Sequence, residues 1–288
     1  FIICSNVIGG CGGSTGPSSI DPETGKPYGN NFPIITLSDM VKAQKRLTDH
    51  LCIKKLLCVA GGSMGGMLAL QWFANYPETT KSVIPIATAW KQSPQQIAFS
   101  EVGRQAIMRD PNWNQGDYYD RPYPKSGLSI ARMIGHITYM SEIFMEKRFS
   151  RKLKKSELGF SFETDFEIEN YLNYKGDSLI NRFDPNSYLY LSKALNYFDV
   201  SGEKLIRSKV LPDTSFLIIS FDSDWLYPSW QSKEIVKFLM SRRASTTYCE
   251  ISSPHGHDSF LLEFEEETKL IKHFLEKVKN EQKFKNGS

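Results

Sequence analysis

Three short stretches carry the residue types that nucleophilic catalysis needs. Gly61-Gly62-Ser63-Met64-Gly65-Gly66 holds a single serine at the tip of a glycine turn. Phe221-Asp222-Ser223-Asp224-Trp225-Leu226-Tyr227-Pro228 offers two aspartates, and Ser252-Ser253-Pro254-His255-Gly256-His257-Asp258 offers two histidines. A serine hydroxyl is a poor nucleophile at neutral pH. It needs a base to take its proton and an acid to orient that base and stabilise its charge. Spacing alone does not choose between Asp222 and Asp224, or between His255 and His257. The other histidines have plainer readings: His50 closes a helix, His136 is packed within a helical stretch, and His273 stands among lysines on a solvated helix face.

The elements around these stretches are those that would position them. Leu56-Leu57-Cys58-Val59-Ala60 reads as a buried strand running into the serine turn, and Met67 to Ala74 as a helix leaving it. A serine on so sharp a turn sits in strained backbone, with close approach two residues away on either side. Gly61 and Gly65 remove the side chains that would clash, and Gly66 lets the helix pack on the strand. The helix aims its first amides and its positive dipole end at the serine, which makes the Met64 amide a candidate oxyanion donor. Strand character recurs at Phe1–Cys4, Ser82–Ala87 and, after a long gap, at Thr214–Ser220 and Thr246–Ile251. Helices are expected over Leu37–His50, Ser229–Arg242 and Glu265–Glu281. Between about Trp90 and Lys209 amphipathic helical stretches dominate, over Pro94–Asp110, Leu128–Phe149, Phe166–Tyr174 and Pro185–Asp199. Alternating strands and helices on both sides of a helical block imply a parallel α/β sheet with a helical cap inserted in it. The expected organisation is therefore a core over residues 1–90, a cap over 91–209, and the rest of the core over 210–288. In a parallel sheet, the loops after consecutive strands share the carboxyl edge, so the serine, the aspartates and the histidines fall on one edge. Their chain order, serine then acid then histidine, is that of α/β-hydrolase triads.

Composition narrows the class. At 288 residues, 40% hydrophobic and 12% aromatic, the chain can bury a sizeable core. A formal charge of +3 gives no footprint for nucleic acid, and no apolar run approaches a membrane span. The five cysteines, Cys4, Cys11, Cys52, Cys58 and Cys249, are odd in number and irregularly spaced, with no C-x-x-C. Cys4, Cys58 and Cys249 read as buried thiols in strands, which suits a reducing compartment and leaves no metal motif. Phe1 opens inside a strand-like run without an initiator methionine, so the sequence reads as the remainder of a longer protein. Ser5 to Tyr28 is a long loop rich in Gly, Ser, Pro and Asn, either ordered or disordered.

Several further motifs carry a resemblance. They are Asn6-Val7-Ile8-Gly9-Gly10-Cys11 with Gly13-Ser14-Thr15-Gly16-Pro17, Asp39-Met40-Val41-x-Ala43-Gln44, and Glu101-Val102-Gly103-Arg104-Gln105-Ala106-Ile107. Asp110-Pro111-x-Trp113, Ala131-Arg132-Met133-x-Gly135-His136-Ile137-Thr138-Tyr139, Arg182-Phe183-Asp184-x-Asn186-Ser187-Tyr188 and Gly256-His257-Asp258-x-Phe260-Leu261 complete the set. Together with the glycine turn they resemble the homoserine O-acetyltransferase family along essentially the whole chain. The resemblance implies an α/β-hydrolase fold with an inserted helical cap, lacking its opening strands in this sequence. It also implies a triad of Ser63, Asp224 and His257, with Met64 supplying one oxyanion amide and a second donor lying in a loop before Phe1. Arg132 would bind the carboxylate of the substrate and Asp258 its amine, since a zwitterion needs one cation and one anion. Arg104 and Tyr139 are further pocket candidates whose default role is packing.

The reaction implied is ping-pong transfer of an acetyl group from acetyl-CoA to L-homoserine through acetyl-Ser63, giving O-acetyl-L-homoserine for methionine synthesis. Acetyl-CoA would be a co-substrate, with no permanently bound cofactor and no metal, and the enzyme a cytoplasmic homodimer. The helical cap is the expected means of keeping water from the acyl-enzyme. Alternatives are a sibling acyltransferase using serine or succinyl-CoA, an esterase with the same triad, and a non-catalytic relative serving as a binding protein.

Overall fold

The computed structural model describes residues 1–206 and 213–286. In chain order its elements are α1 (Leu37–His50), β1 (Val59–Gly62), α2 (Met64–Asn75), β2 (Ser82–Ile86) and α3 (Pro94–Met108). Then come α4 (Lys125–Tyr139), α5 (Glu142–Arg148), α6 (Glu167–Ile180) and α7 (Pro185–Asn196). The chain closes with β3 (Ser215–Phe221), α8 (Ser229–Ser241), β4 (Ser245–Ile251) and α9 (Phe264–Asn286). It folds as two compact units, one of residues 37–92 and 198–288, the other of residues 1–36 and 93–197.

The first unit contains the sheet, all parallel, in the order β1-β2-β3-β4. Alternation along β3 sends neighbouring side chains to opposite faces. Phe216 meets Phe73 of α2 edge-on, with ring centroids 4.9 Å apart. Leu217, Ile219 and Phe221 instead join Ile84, Ile86, Ile251, and Phe274 and Val278 of α9 in one apolar cluster. Helix α2 is buried from Gly66 to Ala74, as its all-round apolar sequence requires. The expected strand over Leu56–Ala60 is shifted: among the described residues only an isolated bridge, Leu56 to Thr80, precedes β1, and the ladder takes in Gly61 and Gly62. Pro85 lies inside β2, and the register with β3 skips Ile84 and Pro85, as a residue without an N–H demands. The strand expected at Phe1–Cys4 does not form. Phe1 and Ile2 are 98% and 94% exposed, and Cys4 is exposed rather than buried. Strand propensity is realised only against a neighbour to pair with.

The second unit is helical, α3 to α7, around Ile107, Leu128, Ala131 and Leu189. The long loop of residues 5–31 belongs to this unit and is ordered: Gly9 N donates to Thr15 O, Gly29 N to Pro17 O, and Tyr190 Oη to the carbonyl of Phe32. Residues 1–36, assigned to the core from the sequence, thus pack with the helical block. The expected cap boundary at Lys209 lies outside the described residues.

The motif around Asp184 is the structural knot of this unit. Asp184 caps α7 through the Ser187 amide and accepts from Tyr118 Oη at 2.6 Å. Burial, with Asp184 beside it, raises the Tyr118 phenol far above its ordinary value, so it stays a donor. Trp113 and Asn186 are joined at 3.0 Å, and Asp110 accepts from the Gly127 amide near the start of α4.

Candidate active site

Ser63 occupies the turn between β1 and α2 with φ 54° and ψ −121°. A non-glycine residue there is strained by about 1–3 kcal/mol and persists only where its surroundings over-determine it. They do so here. Ser63 N donates to Ile86 O at 2.9 Å, while Ser63 O accepts from Thr88 Oγ1 at 2.8 Å and from the amides of Gly66 and Met67. A Cβ on Gly61 would come within 2.7 Å of the Gly65 backbone, and one on Gly66 within 2.8 Å of Thr88. A Cβ on Gly65 would meet nothing, so the paired role expected for Gly61 and Gly65 is a single contact, made by the side of Gly61. Met64 is the first residue of α2. Its amide has no intrahelical partner and stands next to Ser63 at the positive end of the helix.

The other groups come from the ends of β3 and β4. His257 lies on a short 3-10 turn, Gly256–Leu261, entered through Gly256 at φ 72°. Its Nε2 is 2.9 Å from Ser63 Oγ and its Nδ1 is 2.7 Å from Asp224 Oδ2. Both side chains are buried, 4% and 0% exposed. Asp224 Oδ1 accepts from the amides of Leu226 and Tyr227 at 3.0 and 2.8 Å, which fixes the carboxylate plane. With Nδ1–H given to that carboxylate, Nε2 is left to accept the serine proton.

The second aspartate and the second histidine do other things. Asp222 accepts from the Ser253 amide at 3.0 Å. Partial burial pushes its carboxyl up, but hydrogen bonds led by Ser252 outweigh this and hold it below its ordinary value. Ser223 Oγ donates to Ser253 O and accepts from the Gly256 amide, so Asp222 and Ser223 staple the acid loop to the histidine loop. His255 instead stands 3.9 Å from Glu263. Neither Thr88 nor Ser223 was singled out from the sequence. Ser223 lies between the two candidate aspartates, and Thr88 two residues past β2, so position at the sheet edge was the available signal.

Asp258 follows His257 on the same turn and is half-buried. Arg132 lies on α4 in the helical unit, its guanidinium over the ring of Tyr139 at 5.8 Å. Its Nε is buried without a hydrogen-bond partner, and no ion pair to it forms among the described residues. Arg104, by contrast, is engaged: it pairs with Glu101 at 2.6 Å and reaches Ser192 on α7. His136 is buried, with Nδ1 3.2 Å from Tyr171 Oη, and burial together with Arg132 and Lys175 lowers its pKa to about 4. Among the described residues no group of three His, Cys, Asp or Glu could hold a metal ion, and no helix is long and apolar enough to cross a membrane.

A parallel sheet with a strained serine between strand and helix, hydrogen-bonded to a histidine and an aspartate from later strand ends, defines an α/β hydrolase. The family model described as alpha/beta hydrolase fold matches residues 1–264. Within that class the chain is 52% identical to a homoserine O-acetyltransferase of Deferribacter desulfuricans, over 97% of this chain and 75% of that one. It is 56% identical to a homoserine O-acetyltransferase of Methanohalobium evestigatum, over 96% of this chain and 57% of that one. The chain belongs to the homoserine O-acetyltransferase family. It spans little more than half the length of the archaeal relative. Among solved structures, the homoserine O-acetyltransferase of Bacillus anthracis superposes with a TM-score of 0.81 at 28% identity, over 92% of this chain and 70% of that one. The crystal structure of an esterase superposes with a TM-score of 0.83 at 29% identity, over 91% and 72%.

Proposed function

We propose that the protein transfers an acetyl group from acetyl-CoA to the hydroxyl of L-homoserine through an acetyl-Ser63 intermediate. The observation that carries this reading is the continuous Ser63–His257–Asp224 hydrogen-bond chain, at 2.9 and 2.7 Å, in a chain of this family. His257 takes the proton of Ser63 as Oγ attacks the thioester carbonyl. The Met64 amide donates to the developing oxyanion, and the proton leaves with the CoA thiol. The hydroxyl of homoserine then gives its proton to His257 and attacks acetyl-Ser63. O-acetyl-L-homoserine departs, and the proton returns to Ser63.

Arg132 is proposed as the partner of the substrate carboxylate and Asp258 as that of its amine. The buried, unpartnered Nε of Arg132 supports the first role. Acetyl-CoA acts as co-substrate with no permanently bound cofactor, the product feeds methionine synthesis, and the enzyme works as a cytoplasmic homodimer.

One observation favours a second reading, ester hydrolysis: the esterase superposes as well as the acetyltransferase does. A single experiment separates them. The protein is exposed briefly to acetyl-CoA and followed by mass spectrometry. One acetyl adduct on Ser63 that homoserine discharges at least tenfold faster than water is the expected result. Equal discharge by water would favour the esterase, and no adduct on a folded protein would refute the transfer reading.

A further inference from the structure

The His257 ring is held by more than its two hydrogen bonds. The ring of Tyr227 packs against it with centroids 5.1 Å apart, and that of Phe260 with centroids 5.2 Å apart. Each ring is itself fixed. Tyr227 is buried, its amide is bound to Asp224, and its hydroxyl accepts from Gln92 Nε2 at 3.1 Å. Phe260 follows His257 by three residues on the 3-10 turn, where side chains at that spacing stand over one another. Its ring lies directly on the backbone of Gly62: a Cβ there would meet ring carbons at 2.4 and 2.5 Å. Gly62 is therefore a glycine because Phe260 occupies the space, and the residue before the serine touches the residue that flanks the histidine.

These contacts matter most when a hydrogen bond is missing. The second torsion of histidine is broad, so rotamer preference alone leaves the ring plane loose. Once Ser63 is acylated its hydroxyl proton is gone, and Nε2 loses its donor. Asp224 and the two rings remain in place on the imidazole until the acceptor hydroxyl arrives. We propose that Phe260 and Tyr227 are positioning residues for the transfer reaction, holding the imidazole of His257 in place through the acyl-enzyme stage. This rests on the acetyl-Ser63 reading above.

The test follows the two half-reactions separately in Phe260→Leu and Phe260→Tyr. Misplacement of a base by about 1 Å costs on the order of 100-fold in rate. Phe260→Leu should slow discharge of acetyl-Ser63 by homoserine by about that factor, slow acetylation of Ser63 less, and leave the homoserine KM unchanged. Phe260→Tyr, which keeps the ring, should restore discharge to within about threefold of the parent. Gly62→Ala provides a second route, since its methyl group displaces the Phe260 ring. Adding Phe260→Leu to it should recover the thermal midpoint but not the discharge rate. Equal losses in both half-reactions, or discharge recovering together with stability, would show a merely structural ring and overturn the proposal. So would an acetylated Phe260→Leu protein that discharges at the parent rate. Failure of the parent itself to acetylate Ser63 would mark the failure of the parent reading, and this inference would fall with it.

Discussion

At the scale of the residue, Asp224 does two jobs with two oxygens. Oδ1 takes the amides of Leu226 and Tyr227, and Oδ2 takes Nδ1–H of His257. The first job is structural and an amide can do it; the second needs a carboxylate. In Asp224→Asn the carbonyl oxygen should stay on the two amides and the NH2 group should face Nδ1. The imidazole then takes the other tautomer, with Nε2 protonated and unable to accept from Ser63. The fold should survive with a nearly unchanged thermal midpoint, while acetylation of Ser63 falls by about 10⁴-fold, the loss expected for a mis-set tautomer. A loss below tenfold, read by mass spectrometry of the adduct, would mean that the proposed triad is not what activates the serine.

At the scale of the element, the glycine turn offers a paired experiment. Gly61→Ala drives a methyl group into the Gly65 backbone, which cannot move aside, and should cost about 1–3 kcal/mol. Gly65→Ala points its methyl group into open space within α2 and should stabilise by about 0.4–1 kcal/mol. Chemical denaturation of the two variants tests the pair, and similar losses in both would refute the asymmetry. The sequence made the turn legible because its glycines, serine and flanking elements obey local rules. It could not tell which glycine bears the contact, since that depends on how the chain at 61 passes the chain at 65. The same limit applied to Asp222 against Asp224 and to His255 against His257. Both members of each pair sit at the right sheet edge, and only the side-chain hydrogen bonds through Ser223 and Ser253 separate stapling from the link to Ser63. Strand ends were legible only loosely, since Phe1–Cys4 has the right residues but no partner in the ladder. The helical block was legible from its periodicity. That residues 1–36 join it was not, because such contacts reach far along the sequence, 85 residues from Asn30 to Gln115 and 158 from Phe32 to Tyr190.

At the scale of the whole molecule, the two units carry buried titratable groups of opposite effect. In the sheet unit Glu267 is 8% exposed, and burial, with Glu263 nearby, raises its pKa to about 7 from 4.5. The native state therefore holds this proton more tightly than the unfolded chain does. The stability it contributes is complete below pH 4.5 and is lost as pH rises to about 7. In the helical unit His136 runs the other way. Its native pKa of about 4 lies below the ordinary 6.5, so the unfolded chain binds the proton first. Stability is complete above pH 6.5 and is lost as pH falls toward 4. Glu267→Gln removes the first dependence and His136→Gln the second. Relative to the parent, Glu267→Gln should gain thermal midpoint as pH rises from 5 to 8, and His136→Gln should gain it as pH falls from 7 to 4.5. If the units unfold as one, both variants shift a single transition. If they unfold separately, each moves only its own, and differential scanning calorimetry resolves the two cases. A midpoint difference that is flat with pH in both variants would remove the assignment of these two groups as opposed proton sites. A flat difference in one alone would remove that residue and leave the other.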